Sequence, residues 1–249
     1  DLIAEPPNLS KSDLVMALSS RACSLTALLV SVFVSTAILA DEPGDFDFYV
    51  LSLSWSPTYC KQEGADANPH QCDVRDPFRF VVHGLWPQYE RGYPQSCRGP
   101  KRIDRSIAVG MEDIMPSHGL VFHQWRKHGT CSGLEPEDYF DLTRRAFERI
   151  SIPGAFTKLQ KRGKASPQTV EKAFRLANPG LDENAMAVSC SRGEFEEIRI
   201  CLTKDLEFRS CPNVDRRGCS TDSLSVPPPA REENICKASH RSWVSPPRF

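Results

Sequence analysis

Residues 78–85 of the chain read FRFVVHGL, and the sequence Trp86-Pro87 follows directly. The run of aromatic and β-branched residues is typical of a strand, and the Gly-Leu-Trp-Pro sequence indicates where that strand ends. A histidine at the end of an apolar strand can turn its ring into a cleft while its backbone stays in the sheet. A lone histidine is more often a core or capping residue, so His83 needs a second segment beside it to mark a site.

A second polar segment lies at residues 123–131, which read HQWRKHGTC. Residues four apart on a helix share a face, so a helix here places His123 beside Lys127 and Gln124 beside His128. Such a strip suits in-line displacement at phosphorus. One imidazole removes a proton from a hydroxyl, another protonates the leaving oxygen, and the cation stabilises the phosphoryl charge.

Motifs of several other enzyme classes are missing from the sequence. The segment HQWRKH is not HExxH, because its histidines are five residues apart and no carboxylate lies between them. The absence of GxSxG and of a P-loop argues against a serine hydrolase and an NTPase. A Cys-His protease would need a free cysteine, whereas cysteines here are expected to be bridged.

Strand patterns lie toward both ends of the chain, and helical patterns lie between them. Besides residues 78–85, strands are predicted at 46–55, 187–191, 195–202 and 206–211. Helices are predicted at 119–128, 135–150 and 166–178. This segregation predicts an α+β fold rather than alternating α/β units. The polar, irregular segment at 227–249 is expected to lie outside the core.

The composition is that of an ordinary globular protein, with 40% hydrophobic and 25% charged residues in a chain of 249. The net charge of −1 excludes binding of nucleic acid through a broad basic surface. Any polyanionic ligand must therefore be bound in a local cleft.

Residues 22–40 form an uncharged segment that Arg21 precedes and Asp41 follows. Counted from Met16, the segment resembles a secretory signal peptide, which makes residues 1–15 an upstream extension. A membrane anchor is the alternative, since nineteen uncharged residues could just span a bilayer. Five serines and threonines dilute the segment and favour cleavage. We therefore expect a secreted or periplasmic protein that has no membrane segment once the signal is removed.

Ten cysteines indicate an oxidising compartment. One of them, Cys23, lies in the predicted signal peptide, and the remaining nine predict four disulfides and one spare thiol. Zinc binding is the alternative, but the sequence contains no CxxC pair, the close spacing that structural zinc sites usually use.

The segments HGLWPQ at 83–88 and HQWRKHGTC at 123–131 resemble the two active-site segments of the ribonuclease T2 family. The flanking segments LSWSPTYC at 53–60 and EIRICLTKDLEFRSCP at 197–212 agree with this, and the resemblance covers about residues 46–226. It implies an α+β fold with a central antiparallel sheet, helices packed around it and disulfides. It also implies a secreted endoribonuclease that cleaves single-stranded RNA without a metal or another cofactor. We expect the catalytic domain to span residues 41–226.

The resemblance also implies a role for each matching residue. His128 corresponds to the base that activates the ribose 2′-hydroxyl, and His83 corresponds to the acid that protonates the leaving 5′-oxygen. Lys127 corresponds to the lysine that stabilises the transition state, and His123 and Trp86 correspond to residues that hold the phosphate. The expected product is a 2′,3′-cyclic phosphate, which is then hydrolysed to a 3′-phosphate.

Gln124 departs from the family pattern, which has glutamate at this position. A carboxylate about 4 Å from an imidazolium is worth up to roughly 4 kcal/mol at an effective dielectric constant near 20. Its loss lowers the pKa of neighbouring histidines, although a glutamine can donate a hydrogen bond to a phosphoryl oxygen. We therefore expect a weakened or pH-shifted enzyme. The alternative is a catalytically silent member of the fold that binds RNA or has a regulatory role.

The remaining expectations concern disulfides and substrate contacts. The resemblance implies the pairs Cys97–Cys131, Cys201–Cys211, Cys60–Cys72 and Cys190–Cys219, which leaves Cys236 as the spare thiol or as a substitute partner for Cys219. Candidates for stacking on unpaired bases are Trp55, Tyr59, Trp86, Tyr89 and Tyr93, although each of them except Trp86, which lies inside the motif, is better explained as a core residue. The basic run of Lys158, Lys161, Arg162 and Lys164 is better explained as a solvated loop than as an RNA contact. We expect a monomer that needs no protein partner.

Overall fold

A computed structural model of the protein describes residues 41–73 and 75–229. The predicted signal peptide and Cys236 lie outside these residues. The described chain has the predicted α+β architecture, with one six-stranded sheet and helices packed around it. Within it, no helix combines the length and the apolar character that crossing a membrane requires.

The sheet has the strand order β2-β1-β5-β6-β3, and β4 pairs with β5 beside this path. The strands are β1 (Phe48–Trp55), β2 (Phe80–Gln88), β3 (Gly163–Ala165), β4 (Met186–Ser191), β5 (Glu194–Leu202) and β6 (Leu224–Val226). All pairings are antiparallel except that of β5 with β6, which is parallel and joins Glu194 to Ser225. The sheet is therefore mixed at one edge and antiparallel through its centre, where β1 lies between β2 and β5.

Eight α-helices belong to the described residues. They are α1 (Ser56–Glu63), α2 (Pro69–Cys72), α3 (Arg105–Gly110), α4 (His118–Lys127), α5 (Pro136–Glu148), α6 (Gly154–Thr157), α7 (Pro167–Ala177) and α8 (Pro212–Asp215). The three helices predicted from sequence correspond to α4, α5 and α7 within two residues at each end. Ser117 and Ser166 cap α4 and α7 by accepting hydrogen bonds from backbone N–H groups in the first turn.

The alternating pattern of β1 separates the two faces of the sheet. Leu51, Leu53 and Trp55 point into the main hydrophobic core, where Trp55 packs against Phe80 and Phe195. The alternate residues Val50, Ser52 and Ser54 lie on the opposite face. Burial of the first face leaves the second face available for a polar site.

The segment at 206–211 is not a strand, contrary to the prediction. Leu206 has a positive φ of 66°, and the N–H of Leu206 bonds the carbonyl of Thr203, so the chain turns at this point. A single bridge between Leu202 and Phe208 is all the sheet pairing that this segment makes. Its alternation of apolar and polar residues therefore reflects packing beside the sheet rather than a place within it.

Four disulfides link the described chain: Cys60–Cys72, Cys97–Cys131, Cys190–Cys219 and Cys201–Cys211. These are the four pairs that the resemblance implies. Just after β6, the carbonyl of Pro227 accepts a hydrogen bond from the Trp55 indole N–H at 2.9 Å.

Candidate active site

One cleft with a volume of about 270 Å³ opens on the polar face of the sheet. It is lined by all six site residues predicted from sequence: His83, Trp86, His123, Gln124, Lys127 and His128. Strand β2 supplies the first two, and α4 together with its C-terminal residue supplies the other four. Two segments about forty residues apart in the chain therefore form adjoining walls of one site.

A bulge in β2 presents His83 to the cleft. In the pairing of β2 with β1, Gly84 lies opposite Ser52 and Val82 lies opposite Leu53, so His83 has no partner on β1. A bulge of this kind re-aims one side chain while the strand continues. The His83 side chain keeps 40% of its surface exposed, although the residues around it in the strand are buried.

Trp86 is a close neighbour of both candidate catalytic imidazoles. Its ring centroid is 5.1 Å from that of His83 and 5.4 Å from that of His128. Its indole N–H donates to Oε1 of Gln124 at 2.8 Å, and Gln124 is only 2% exposed. The indole N–H is thus held within the protein, while the ring lines the cleft with the Arg199 guanidinium 5.5 Å from its centroid.

Gly84 makes this close arrangement possible. A Cβ atom at position 84 would overlap Oε1 of Gln124 and Nε1 of Trp86. Position 84 therefore requires glycine for packing, since its φ is not in the left-handed region.

His128 ends α4, and its backbone N–H bonds the carbonyl of Gln124 at 2.9 Å. His128 is 5% exposed, and Nδ1 of its ring has no hydrogen-bond partner among the described residues. Burial first, and then the charges of Lys127, His123 and His83, lower the pKa of His128 to about 3. The ring is therefore neutral near pH 7.

His123 and Lys127 lie one turn apart on α4 and both line the cleft. Burial lowers the pKa of His123, and the charges of Lys127 and Arg126 lower it further. This cationic end of the helix can attract a phosphate while its histidines remain largely unprotonated.

Sequence reasoning missed Glu197, a carboxylate on β5 that is 3% exposed. Its Oε2 accepts hydrogen bonds from Nδ1 of His83 at 3.0 Å and from Oγ of Ser52 at 2.8 Å. Its Oε1 accepts two more from Arg199, at 2.8 and 2.5 Å. Burial acts to raise the pKa of Glu197, but the His83 bond, the Arg199 charge and the Ser52 bond outweigh it and hold the pKa at about 2.

A signal for Glu197 was present in the sequence. Glu197 and Arg199 alternate with Ile198 and Ile200, as Ser52 and Ser54 alternate with leucines on β1. Polar residues at period two mark one face of a strand. The pattern does not predict the strand register, which places Ser54 opposite Glu197.

The aromatic candidates divide into two groups. Trp86 and Tyr93 line the cleft, and the Tyr93 ring lies 6.2 Å from that of His128. The other three are not stacking residues of this cleft. Trp55 is in the core, Tyr59 accepts a hydrogen bond from the N–H of Asn68, and Tyr89 donates one to Asp41.

The basic run at 158–164 takes no part in lining the cleft. Arg162 in this run is bound to Glu194 at 2.9 Å and to Ser225. The far wall of the cleft is formed by Val50, Gln88, Arg199, Val214 and Arg217 instead.

The donor set does not favour the zinc alternative. The described cysteines are joined in disulfides, which leaves no thiolate beside His123 or His128. Within residues 41–73 and 75–229, no group of three or more His, Cys, Asp or Glu side chains is placed to hold a metal ion.

The sequence and fold are similar to those of known ribonucleases. The model of the Ribonuclease T2 family matches residues 46–211. A ribonuclease from Aeromonas hydrophila is 36% identical over 187 residues, which cover 73% of this chain and 83% of that protein. Intracellular ribonuclease LX from Solanum lycopersicum is 34% identical over 223 residues, which cover 80% of this chain and 92% of that protein.

Among solved structures, RNase NT in complex with 5′-AMP superposes with a TM-score of 0.56 at 27% identity. The superposition covers 74% of this chain and 99% of that one. The fold, the cleft and the matches together define a ribonuclease. The chain belongs to the ribonuclease T2 family.

Proposed function

We propose that the protein cleaves single-stranded RNA by attack of the ribose 2′-hydroxyl on the adjacent phosphorus. The O2′–P bond forms, the P–O5′ bond breaks, and the product carries a 2′,3′-cyclic phosphate. Water then opens the cyclic phosphate to a 3′-phosphate. The observation that carries the proposal is that His83 and His128 line one cleft and that both rings lie within 5.4 Å of the Trp86 ring.

In this mechanism His128 takes the proton from the 2′-hydroxyl. A general base must be unprotonated before the reaction, and the lowered pKa of His128 keeps its ring neutral down to acidic pH. His83 gives a proton to the leaving 5′-oxygen. The two histidines exchange these roles when water opens the cyclic phosphate.

Lys127, His123 and Gln124 act on the phosphoryl oxygens. Lys127 places a positive charge where negative charge grows in the transition state. Gln124 uses its side-chain oxygen to hold Trp86, so its amide nitrogen is left to donate to a phosphoryl oxygen. Trp86 packs beside the phosphate and contacts both imidazoles.

Single-stranded RNA fits this cleft because its bases can be splayed out onto aromatic rings. Tyr93 is 43% exposed next to His128 and provides such a surface. The basic side chains in the cleft contact only a few phosphates, so the salt dependence of binding is shallow.

The test uses the full chain with its disulfides formed. It is incubated with a dinucleoside monophosphate in the presence of EDTA, and the new ends are identified by mass spectrometry. We expect a cyclic phosphate first and a 3′-phosphate later, with His83→Ala and His128→Ala each at least about 100-fold slower. RNA binding without any cyclic phosphate after hours would instead support the silent alternative, and loss of activity in EDTA would support a metal enzyme.

The cellular location follows from the same proposal. Four disulfides are stable in an oxidising compartment, so we propose that the protein functions in the secreted or periplasmic space. We further propose that its catalytic domain spans residues 41–226 and acts as a monomer, as expected from the sequence. Fractionation of expressing cells and the N-terminal sequence of the mature protein test this.

A further inference from the structure

The buried carboxylate of Glu197 has no role in the mechanism described so far. It lies on β5, behind His83 as seen from the cleft, and it joins three strands through its hydrogen bonds. His83 belongs to β2, Ser52 to β1 and Arg199 to β5 itself. A buried charge is costly unless it is paired and hydrogen-bonded. Both carboxylate oxygens of Glu197 accept hydrogen bonds, and Arg199 supplies the opposite charge.

The bond to His83 determines which ring nitrogen carries a proton. An ionised carboxylate can only accept hydrogen bonds, so Nδ1 of His83 must be the donor at 3.0 Å. The second nitrogen, Nε2, is then the atom available to exchange a proton with a ligand in the cleft.

His128 has the opposite surroundings. No carboxylate bonds its ring, its Nδ1 is buried without a partner among the described residues, and its electrostatic neighbours are Lys127 and two histidines. One imidazole therefore lies against a fixed negative charge, whereas the other has the ammonium group of Lys127 and two further imidazoles as its electrostatic neighbours. This asymmetry separates an acid from a base in a pair of identical side chains.

We propose that Glu197 is the positioning residue of His83: it holds the ring with the proton on Nδ1 and so directs the proton on Nε2 at the leaving 5′-oxygen. The inference rests on the proposed function. As the P–O5′ bond breaks, the Nε2 proton passes to O5′ and the ring becomes neutral. The Nδ1 proton stays in its bond to Glu197 throughout, and the proton of the 2′-hydroxyl resides on His128.

Glu194 supplies a matched control on the same strand. It is also a buried carboxylate, 5% exposed, and it pairs with Lys61 and Arg162 rather than with a histidine. Neither of these two partners lines the cleft. Glu194→Gln and Glu197→Gln therefore remove the same charge from the same strand, and only the second change alters the surroundings of His83.

The substitution Glu197→Gln has a defined chemical effect. Arg199 is a donor only, so the new amide turns its oxygen to Arg199 and its NH₂ group to His83. Nδ1 must then accept, and the neutral ring shifts its proton to Nε2. Loss of an orienting carboxylate in this way costs up to about 10⁴-fold in turnover.

The experiment measures cleavage of a dinucleoside monophosphate and of a uridine 3′-aryl phosphate, whose phenolate leaves without protonation. For Glu197→Gln we expect kcat on the dinucleotide to fall by at least about 100-fold with KM little changed. The aryl ester should recover most of this loss, as it should for His83→Ala but not for His128→Ala. In ¹⁵N NMR, the neutral His83 ring should move its proton from Nδ1 to Nε2.

Each result has one meaning. Equal losses of Glu197→Gln on both substrates, or losses matched by Glu194→Gln, would show a purely structural carboxylate and overturn the inference. An unchanged tautomer in the NMR spectrum would overturn it as well. If the wild type forms no cyclic phosphate from the dinucleotide, the proposed function fails. If His83→Ala cleaves it at full rate, His83 is not the acid and the inference about Glu197 falls with that role.

Discussion

The indole N–H of Trp86 donates a hydrogen bond to the side-chain oxygen of Gln124 at 2.8 Å. A glutamate at position 124 could accept the same bond. The departure of this chain from the family pattern therefore preserves the contact between β2 and α4, and what it removes is a negative charge beside the imidazoles.

We predict that Gln124→Glu shifts the pH dependence of cleavage. A carboxylate near His128 stabilises the imidazolium, so it raises the pKa of His128 from its value of about 3. Because the base must be neutral, the acidic limb of the kcat/KM profile should move to higher pH by about one unit or more. Profiles of both proteins with a dinucleotide between about pH 3 and 8 measure the shift.

The control for this prediction is Gln124→Ala. It removes the bond to Trp86 and adds no charge, so it should lower the rate and leave the limb in place. If the acidic limb of the kcat/KM profile lies at the same pH in the wild type and in Gln124→Glu, ionisation of His128 does not determine that limb.

A second prediction concerns Gly84. In Gly84→Ala the new methyl group overlaps both Gln124 and Trp86, and one of them must move away from the cleft. We expect a destabilisation of about 1–3 kcal/mol and a clear loss of turnover. Urea unfolding and single-turnover cleavage measure the two effects.

Gly154→Ala is the matched change outside the cleft. A Cβ at this position in α6 meets no atom within 4 Å, and its φ is not positive. Stability and cleavage should be unaffected or slightly improved in this variant. Wild-type turnover in Gly84→Ala would show that the Trp86–Gln124 contact does not hold the site in shape.

A third prediction concerns acid stability. Because the folded-state pKa of His128 is depressed from 6.5 to about 3, the unfolded chain binds this proton more readily than the folded protein does. Protonation of His128 has no effect on the free energy of unfolding above about pH 6.5. As the pH falls from there toward 3, the free energy of unfolding decreases by up to about 1.4 kcal/mol per pH unit. Glu197, whose pKa is lowered from 4.5 to about 2, adds a further loss at more acidic pH.

His128→Asn should therefore flatten the dependence of the unfolding free energy on pH between about 6 and 4. Denaturant titrations at several pH values measure the slope. His70→Asn, a change of an exposed histidine in α2, should keep the wild-type slope. Parallel curves for the wild type and His128→Asn would contradict the burial of a neutral ring.

Much of the site was predictable because its chemistry is carried by two short segments. His83 and Trp86 are three residues apart on one strand, and the residues from His123 to His128 share one helical turn and its end. Local spacing is enough to place such groups together. The α+β class was predictable for a similar reason, since the alternation in β1 and the helical repeats of α5 are local patterns.

Glu197 was not predictable, because its role depends on long-range register. It lies 114 residues after His83, and only the pairing of β1 with both β2 and β5 brings the two together. The bulge that exposes His83 is likewise a product of pairing. The strand predicted at 206–211 was wrong for a related reason. The segment does alternate apolar and polar residues, but the turn at Leu206 prevents it from pairing along the sheet.

The last prediction compares the effects of removing two disulfides, Cys97–Cys131 beside the cleft and Cys60–Cys72 away from it. Cys97–Cys131 joins the loop before α3 to the short 3₁₀ helix Gly129–Cys131, which directly follows His128. The N–H of Ser96 also bonds the carbonyl of Lys127 at 2.8 Å, so this loop and the active end of α4 are held together. Loss of the bridge should therefore cost stability and also loosen His128.

We expect Cys97→Ser/Cys131→Ser to lose about 2–4 kcal/mol of stability and at least about tenfold in kcat under conditions where the protein stays folded. Cys60→Ser/Cys72→Ser removes the bridge between α1 and α2, which does not line the cleft, so it should lose stability alone. Thermal unfolding and dinucleotide cleavage of both variants at the same temperature make the comparison. Equal turnover in the two folded variants would show that the position of His128 does not depend on Cys131, and that α4 is fixed by its packing against β2.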